Sequence, residues 1–356
     1  MNLVSLGWKK QQEIWECESK EEGYELGRII TEYPNSYRIM TQKGEILGSV
    51  SGKFRFHAKS RSDYPCIGDW VAIQKHDQDK GMIHFIFPRF SQFSRKEAGT
   101  GYEEQTIASN VDFVFLVSAL NQDFNLRRIE RYLVLAWESG SNPVIVLSKG
   151  DLCNDSSERV LQVESIACGV PIHVISAMNQ QGMDELFPYV KVGNTVALLG
   201  SSGVGKSTLV NALLGIDRQS TQESREKDGK GRHTTTNREL IPLPQGGAII
   251  DTPGMREIQL GNVVSGVDDA FADINELVQS CHFSDCTHQR ETRCAVQQAI
   301  EEGILSTERL QSYRKLQKEL DYVERKVDKD LQLAEKNRIK KQQKAYQHLK
   351  KGNHFR

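Results

Sequence analysis

Thr195-Val-Ala-Leu-Leu-Gly-Ser-Ser-Gly-Val-Gly-Lys-Ser-Thr-Leu-Val-Asn-Ala-Leu-Leu214 is the stretch that decides the fold. Its centre, Gly200 to Ser207 with Thr208 behind it, meets the pattern G-x-x-x-x-G-K-[ST] at every fixed position. Thr195 to Leu199 reads as a buried strand entering the loop, and Ser207 to Leu214 as the helix leaving it. Gly200, Gly203 and Gly205 let the backbone curl. The N–H groups along Ser201, Ser202, Gly203, Val204 and Gly205 then point inward at phosphate oxygens. Lys206 is placed for the β- and γ-phosphates, and the Ser207 hydroxyl for Mg²⁺, at a helix N-terminus whose dipole favours anions. A glycine-rich turn is the bland alternative, and strand, loop, Lys-Ser and helix in register argue against it. A bound nucleoside triphosphate is expected.

Upstream of this loop, strands and helices alternate. Val111–Val117 reads as a strand, Leu126–Ser139 as an amphipathic helix and Pro143–Leu147 as a strand. A helix near Ser157–Cys168 and a strand at Pro171–Ile175 follow. This is the pattern of a doubly wound α/β domain, whose ligands sit at the carboxyl ends of its strands. At two such ends stand Ser148-Lys149-Gly150-Asp151 and Ser176-Ala177, which resemble the guanine-binding motifs N-K-x-D and S-A-K of the GTPase superfamily. A carboxylate at Asp151 can accept from guanine N1–H and from the 2-amino group, neither of which adenine offers. The stem of Lys149 can cover the base plane, and the Ala177 N–H can meet the guanine O6. Ser148 stands where Asn is usual and Met178 where Lys is usual; a serine reaches less far than an asparagine, so a lower nucleotide affinity is expected. The base-recognition elements precede the phosphate loop, the reverse of the ordinary order. Close termini allow such a circular permutation.

Downstream, the polar stretch Thr221–Gly231 leads into Arg232-His-Thr-Thr-Thr236, the layout of a first switch. One of Thr234–Thr236 is expected to close on Mg²⁺ and the γ-phosphate; spacing does not choose among them, and Thr235 is carried forward. After a strand at Arg238–Pro242, Ala248-Ile-Ile250 runs into Asp251-Thr-Pro-Gly254. There Asp251 is expected as the magnesium partner and the Gly254 N–H as a γ-phosphate donor. Met255 follows, where many GTPases carry a glutamine that orients the attacking water. A thioether cannot do this, and His233 is the nearest candidate to replace it.

The amino-terminal third reads as β. Short alternating runs at Tyr24–Ile30, Tyr37–Met40, Ile46–Val50, Trp70–Ile73 and Met82–Phe87 are separated by turn residues, and an OB-type barrel fits the size. Lys53-Phe-Arg-Phe-His-Ala-Lys-Ser-Arg61 is expected as one more strand. Period two puts Phe54 and Phe56 inside it and Lys53, Arg55, His57, Lys59 and Arg61 outside, as a track for an RNA backbone or simply a solvated face.

Near the other end, Cys281-x4-Cys286-x-His288-x5-Cys294 offers soft ligands at close spacing. That suits a structural, tetrahedral Zn²⁺ in a closed Cys₃His site, with His282 excluded because adjacent residues rarely both ligate. From Leu305 the chain reads helical, with Tyr313, Leu316, Leu320, Val323 and Val327 as one apolar stripe. Lys336 to Arg356 is a basic arm without Asp or Glu, solvated or suited to phosphates.

Composition narrows the class. With 46 Lys+Arg against 47 Asp+Glu in 356 residues, any nucleic-acid surface must be a local patch. No apolar run is long enough to span a bilayer, and the start lacks a signal peptide's layout, so no membrane partner is expected. Seven cysteines, an odd number, suit a reducing cytoplasm and a metal site better than a disulfide framework. The expected division is a barrel over residues 1–95, a permuted P-loop domain over 96–258 and a zinc-binding helical module over 259–356.

Barrel, permuted order, Arg-His-Thr-Thr-Thr, Asp-Thr-Pro-Gly and the cysteine spacing together resemble the ribosome small subunit-dependent GTPase A family, RsgA, over roughly residues 24–330. The resemblance implies a cytoplasmic, monomeric GTPase that binds GTP and GDP with Mg²⁺. It also implies binding to the small (30S) ribosomal subunit and its 16S rRNA, stimulation by the subunit, and action late in its maturation. The competing classes are a P-loop kinase, for which no acceptor pocket or general base is legible, and a GTP-regulated module that reads a protein.

Overall fold

Apolar runs without alternation become strands buried on both faces, and they assemble the centre of the molecule. In the computed structural model, which describes residues 3–9, 23–96, 104–215, 239–244, 246–251, 265–289, 291–321 and 325, β8 (Phe113–Ala119), β9 (Asn142–Ser148) and β11 (Thr195–Leu199) are almost wholly buried. With β10 (Ile172–Val174) and β13 (Ala248–Asp251) they form a parallel sheet in the order β10-β9-β8-β11-β13. β12 (Glu239–Pro242) adds antiparallel to β13. The helix Leu126–Glu138, capped by the Asn125 side chain accepting from the Arg128 N–H, covers one face of this sheet. The helix Lys206–Leu214 packs in the cluster on the other.

The amino-terminal strands β1 (Glu25–Glu32), β2 (Tyr37–Thr41), β3 (Gly44–Val50), β4 (Trp70–Lys75) and β5 (Lys80–Ile86) close on themselves. Their order is β1-β2-β3-β5-β4, with β4 pairing back to β1 and β3 parallel to β5. This is the expected OB-type barrel, filled by Ile29, Ile39, Ile46, Val71, Ile73 and Ile83. It is wound tightly enough that a Cβ on Gly27 would lie 2.5 Å from both Ile39 and Ile73.

The expected strand over Lys53–Arg61 is not there. Gly52–His57 is a short helix whose N-cap Ser51 accepts from the Phe54 N–H at 3.0 Å, and Arg61–Asp63 is a single 3₁₀ turn. The cap overrides the alternation, because helical spacing separates the two aromatics that period two had joined. Phe54 packs against the barrel core beside Tyr64, while Phe56 is 86% exposed. The cations Lys53, Arg55, His57, Lys59 and Arg61 are all exposed, on a helix and turns rather than on a strand. A second difference lies between the barrel and β8. No strand is read there from the sequence, whereas β6 (Gln92–Lys96) and β7 (Glu104–Ser109) pair as an antiparallel ribbon. Residues 97–103 lie outside the described set.

The barrel is not a detached unit. β1 pairs with β12 at Thr31 and Glu239, so among the described residues one eleven-stranded sheet runs from barrel to P-loop domain. Arg28 is buried at this junction. It donates to the Gly68 carbonyl at 3.1 Å, to the Asn110 carbonyl at 3.0 Å, to Thr195 Oγ1 at 2.8 Å and to the Leu6 carbonyl. Each donor of a buried guanidinium left unpaired would be costly, so these bonds hold the two parts in one register.

Beyond β13 the described chain is helical, with Ser265–Ala270, Ala272–Gln279, Ala295–Glu301 and residues 307–321. Tyr313 and Leu316 are buried, and Leu320 packs against the same cluster, which includes Leu133 and Val134 of the P-loop domain. The expected stripe therefore faces the core as far as Leu320; Val323 and Val327 lie outside the described residues, as does the basic arm.

Candidate functional site

The loop after β11 crosses the end of β8 so closely that a Cβ on Gly200 would lie 2.4 Å from the Val117 carbonyl oxygen. Gly203 and Gly205 have φ of 79° and 92°, the left-handed region where a side chain is strained. Val204 between them is 2% exposed and pins the loop to the core. Lys206 opens the following helix, and its ammonium donates back to the carbonyls of Gly200 at 2.6 Å and Ser201 at 2.5 Å. An ammonium has three donors, so these two bonds fix its position over the loop. Ser202 is exposed, and Ser207 and Thr208 are half-buried in the first helical turn.

The two guanine-type motifs meet beside this loop. Ser148 ends β9 and is buried; its hydroxyl donates to the Val204 carbonyl at 2.6 Å, with the Ser118 carbonyl at 3.3 Å. A serine at this position thus ties the base-recognition strand to the P-loop directly. Lys149 adopts φ 59°, turning the chain so that Asp151 is exposed at the carboxyl edge of the sheet. The Gly150 N–H donates to the Ile175 carbonyl at 2.9 Å, which joins this turn to the one after β10. There Ser176 is buried and exchanges both backbone bonds with Gln181 at 3.0 Å, while its hydroxyl accepts from the Asn179 N–H at 3.3 Å. Ala177 is half-buried and Met178 is 75% exposed. Asp251 ends β13, whose register pairs Ile250 with Ala197, so its carboxyl end is level with that of β11. His233, Thr234, Thr235, Thr236, Gly254 and Met255 lie outside the described residues.

One residue at this site was not singled out from the sequence. Arg128, in the first turn of the helix Leu126–Glu138, donates through Nη1 to Ser201 Oγ at 3.1 Å. A signal was present: Arg127 and Arg128 put two cations at a helix N-terminus, where the dipole disfavours them. Such a locally inconsistent choice at the carboxyl end of a strand marks a place where something else decides the residue.

The carboxy-terminal cluster forms as expected. The ligand atoms of Cys281, Cys286, His288 and Cys294 all lie within 4.8 Å of one another. His288 Nδ1 is 3.5 Å from the sulfurs of both Cys281 and Cys294, and those sulfurs are 3.9 Å apart. A tetrahedron with Zn–S of about 2.3 Å and Zn–N of about 2.05 Å has edges of about 3.6 and about 3.8 Å, so these atoms fit zinc. His288 takes φ 56° to present Nδ1, and its carbonyl accepts from Arg314 at 2.5 Å and from Gln297. His282 is exposed, against Phe283.

Comparison with known proteins agrees with this geometry. A family model described as RsgA GTPase matches residues 86–261, and one described as a 50S ribosome-binding GTPase matches residues 195–343. The second match begins at β11, the strand that leads into the P-loop. The chain is 47% identical over 304 residues to the small ribosomal subunit biogenesis GTPase RsgA 2 of Lactiplantibacillus plantarum, covering 85% of this chain and 86% of that one. To the RsgA of Opitutus terrae it is 42% identical over 351 residues, 96% of each chain. Among solved structures, YjeQ from Thermotoga maritima matches with a TM-score of 0.64 at 28% identity, over 83% of this chain and 98% of that one. YloQ, described as a circularly permuted GTPase, matches with a TM-score of 0.60 at 25% identity, over 84% and 95%.

Proposed function

Since this chain belongs to the RsgA family of GTP-hydrolysing enzymes in small ribosomal subunit biogenesis, we propose that its cycle is gated by the 30S subunit itself, late in maturation, through contact with 16S rRNA. The observation that carries this reading is how the permuted order attaches the switches. β12, which follows the first switch segment, pairs with barrel strand β1, while β13 leads through the second switch segment to the zinc-type module. A change of nucleotide at either switch therefore has a covalent or hydrogen-bonded path to a different outer part. Two such parts gripping one RNA surface make a clamp with two states.

In this reading Gly200 to Thr208 hold the triphosphate, and Lys206 neutralises developing charge on the β- and γ-oxygens. Mg²⁺, held by Ser207, Thr235 and the Asp251 side, would neutralise phosphate charge when bound. Gly254 donates its N–H to the γ-phosphate. Lys149, Gly150, Asp151, Ser176 and Ala177 receive the guanine, with Ser148 bracing them against the P-loop through Val204. Cys281, Cys286, His288 and Cys294 hold one structural zinc. The exposed Lys53, Arg55, His57, Lys59 and Arg61 face the rRNA phosphates, with Phe56 available to stack on a base. The protein works as a cytoplasmic monomer.

GTP turnover measured with and without purified 30S subunits tests the proposal. Strong acceleration by subunits is expected, with subunit affinity falling as salt rises and falling again in Arg55→Glu/Lys59→Glu at unchanged GTP affinity. Turnover indifferent to subunits would refute the gating, and wild-type subunit affinity of the double variant would remove the patch from the rRNA contact.

Base choice gives a second expected result. Asp151→Asn removes a charge-assisted pair of hydrogen bonds, which costs on the order of 1.5–3 kcal/mol and so weakens GTP binding by about ten- to a hundredfold. The same variant should gain affinity for xanthosine triphosphate, whose 2-oxo group accepts from the new amide. Equal affinity of the wild type for ATP and GTP in a competition titration would overturn the guanine assignment.

A further inference from the structure

The helix Leu126–Glu138 touches the P-loop with its first turn and the carboxy-terminal region along most of its length. Arg128 Nη1 reaches Ser201 Oγ at 3.1 Å and the Asp123 carbonyl at 3.4 Å. Two residues on, Glu130 is 3% exposed and accepts from Arg309 Nη1 at 2.9 Å; Arg309 itself is 5% exposed. Arg309 also donates to Asp273 at 3.0 and 3.2 Å and to the Ala270 carbonyl at 2.7 Å, and its guanidinium lies 4.2 Å from the Phe271 ring centre. Arg131 pairs with Glu319 at 2.6 Å. At the far end Glu138 accepts from the Gly266 N–H at 2.9 Å, and the backbones approach so closely that a Cβ on Gly266 would sit 2.4 Å from the Val134 carbonyl.

Ser201 is held from two sides. Its carbonyl accepts from the Lys206 ammonium and its hydroxyl from the Arg128 guanidinium. A shift of Arg128 therefore moves the carbonyl that positions the phosphate lysine. How far Arg128 reaches depends on where the helix sits, and a buried Glu130–Arg309 bond, made by a guanidinium that is also forked onto Asp273, tolerates little displacement. We propose that Arg128 is a positioning residue of the P-loop, acting through Ser201 on Lys206, and that Arg309 sets its reach by fixing the helix through Glu130. The carboxy-terminal region is then a determinant of nucleotide affinity.

The test is the affinity of the full chain for a fluorescent GTP analogue, with thermal unfolding recorded for each variant. Arg128→Gln and Ser201→Ala are each expected to raise Kd about tenfold, the scale of one hydrogen bond to a charged group. The double variant should bind no more weakly than the weaker single, because the two residues act through one bond. Arg309→Lys keeps the charge but loses the fork, and should raise Kd by about threefold or more in the wild-type background and by nothing in the Ser201→Ala background. Wild-type affinity of Arg128→Gln, or independent multiplication of its effect with that of Ser201→Ala, would overturn the positioning role. An Arg309→Lys effect that is absent, or that persists in Ser201→Ala, would overturn the link to the carboxy-terminal region. If Arg309→Lys unfolds at a lower temperature, Glu319→Gln, which releases Arg131 at the more exposed end of the same contact, is read by the same two criteria.

Discussion

His233→Ala should bind GTP much as the wild type does and lose most of the acceleration that 30S subunits confer. Intrinsic GTPases that keep the water-orienting glutamine run near ~10⁻⁴ s⁻¹, and order or charge supplied by a partner adds ~10³–10⁵. That gain is about 4–7 kcal/mol of barrier, so its loss in one variant is easy to read by single-turnover hydrolysis. Met255 stands in the glutamine's place and its thioether cannot hold a water by hydrogen bonding. His233 adjoins the Thr234–Thr236 run of the first switch, and a neutral imidazole can accept from the attacking water. A His233→Ala protein stimulated as fully as wild type would remove the histidine from the reaction.

Loss of zinc should have the largest effect on stability. Binding contributes on the order of 10 kcal/mol or more in small zinc modules, comparable to the whole stability of a domain. Cys286→Ala is expected to unfold the segment around residues 281–294 and to abolish subunit binding. Cys294 and Val296 belong to the same buried cluster as Leu133 and Val134, so the damage should reach the interface with the P-loop domain. The P-loop sheet has its own second core around Val196, Leu198, Leu209 and Leu213, and should still bind GTP. Metal analysis of the wild type should return one zinc per chain, and limited proteolysis of the variant should cut first near residues 281–294. A metal-free wild-type preparation, made without chelator, would refute the assignment.

The strand–loop–helix of the P-loop and the Cys/His cluster were legible because each is local. A P-loop gathers its backbone N–H groups from consecutive residues, and a Cys/His cluster with this spacing closes within one short loop. The OB-type barrel was legible for the same reason, in five runs, separated by turn residues, that overlap the five strands. Alternation misled only at Lys53–Arg61, where cations and aromatics also alternate. A serine cap and the need to plug the barrel with Phe54 made that stretch a helix. What tertiary structure alone decided lies in contacts between distant residues. Ser148 reaches Val204 across 56 positions, Arg128 reaches Ser201 across 73, and Arg309 reaches Glu130 across 179. No periodicity encodes such pairs, because each depends on where whole strands and helices pack. The same holds for β12 joining β1, which turns barrel and P-loop domain into one sheet: each strand is readable by itself, but an edge chooses its neighbour only when the two domains meet.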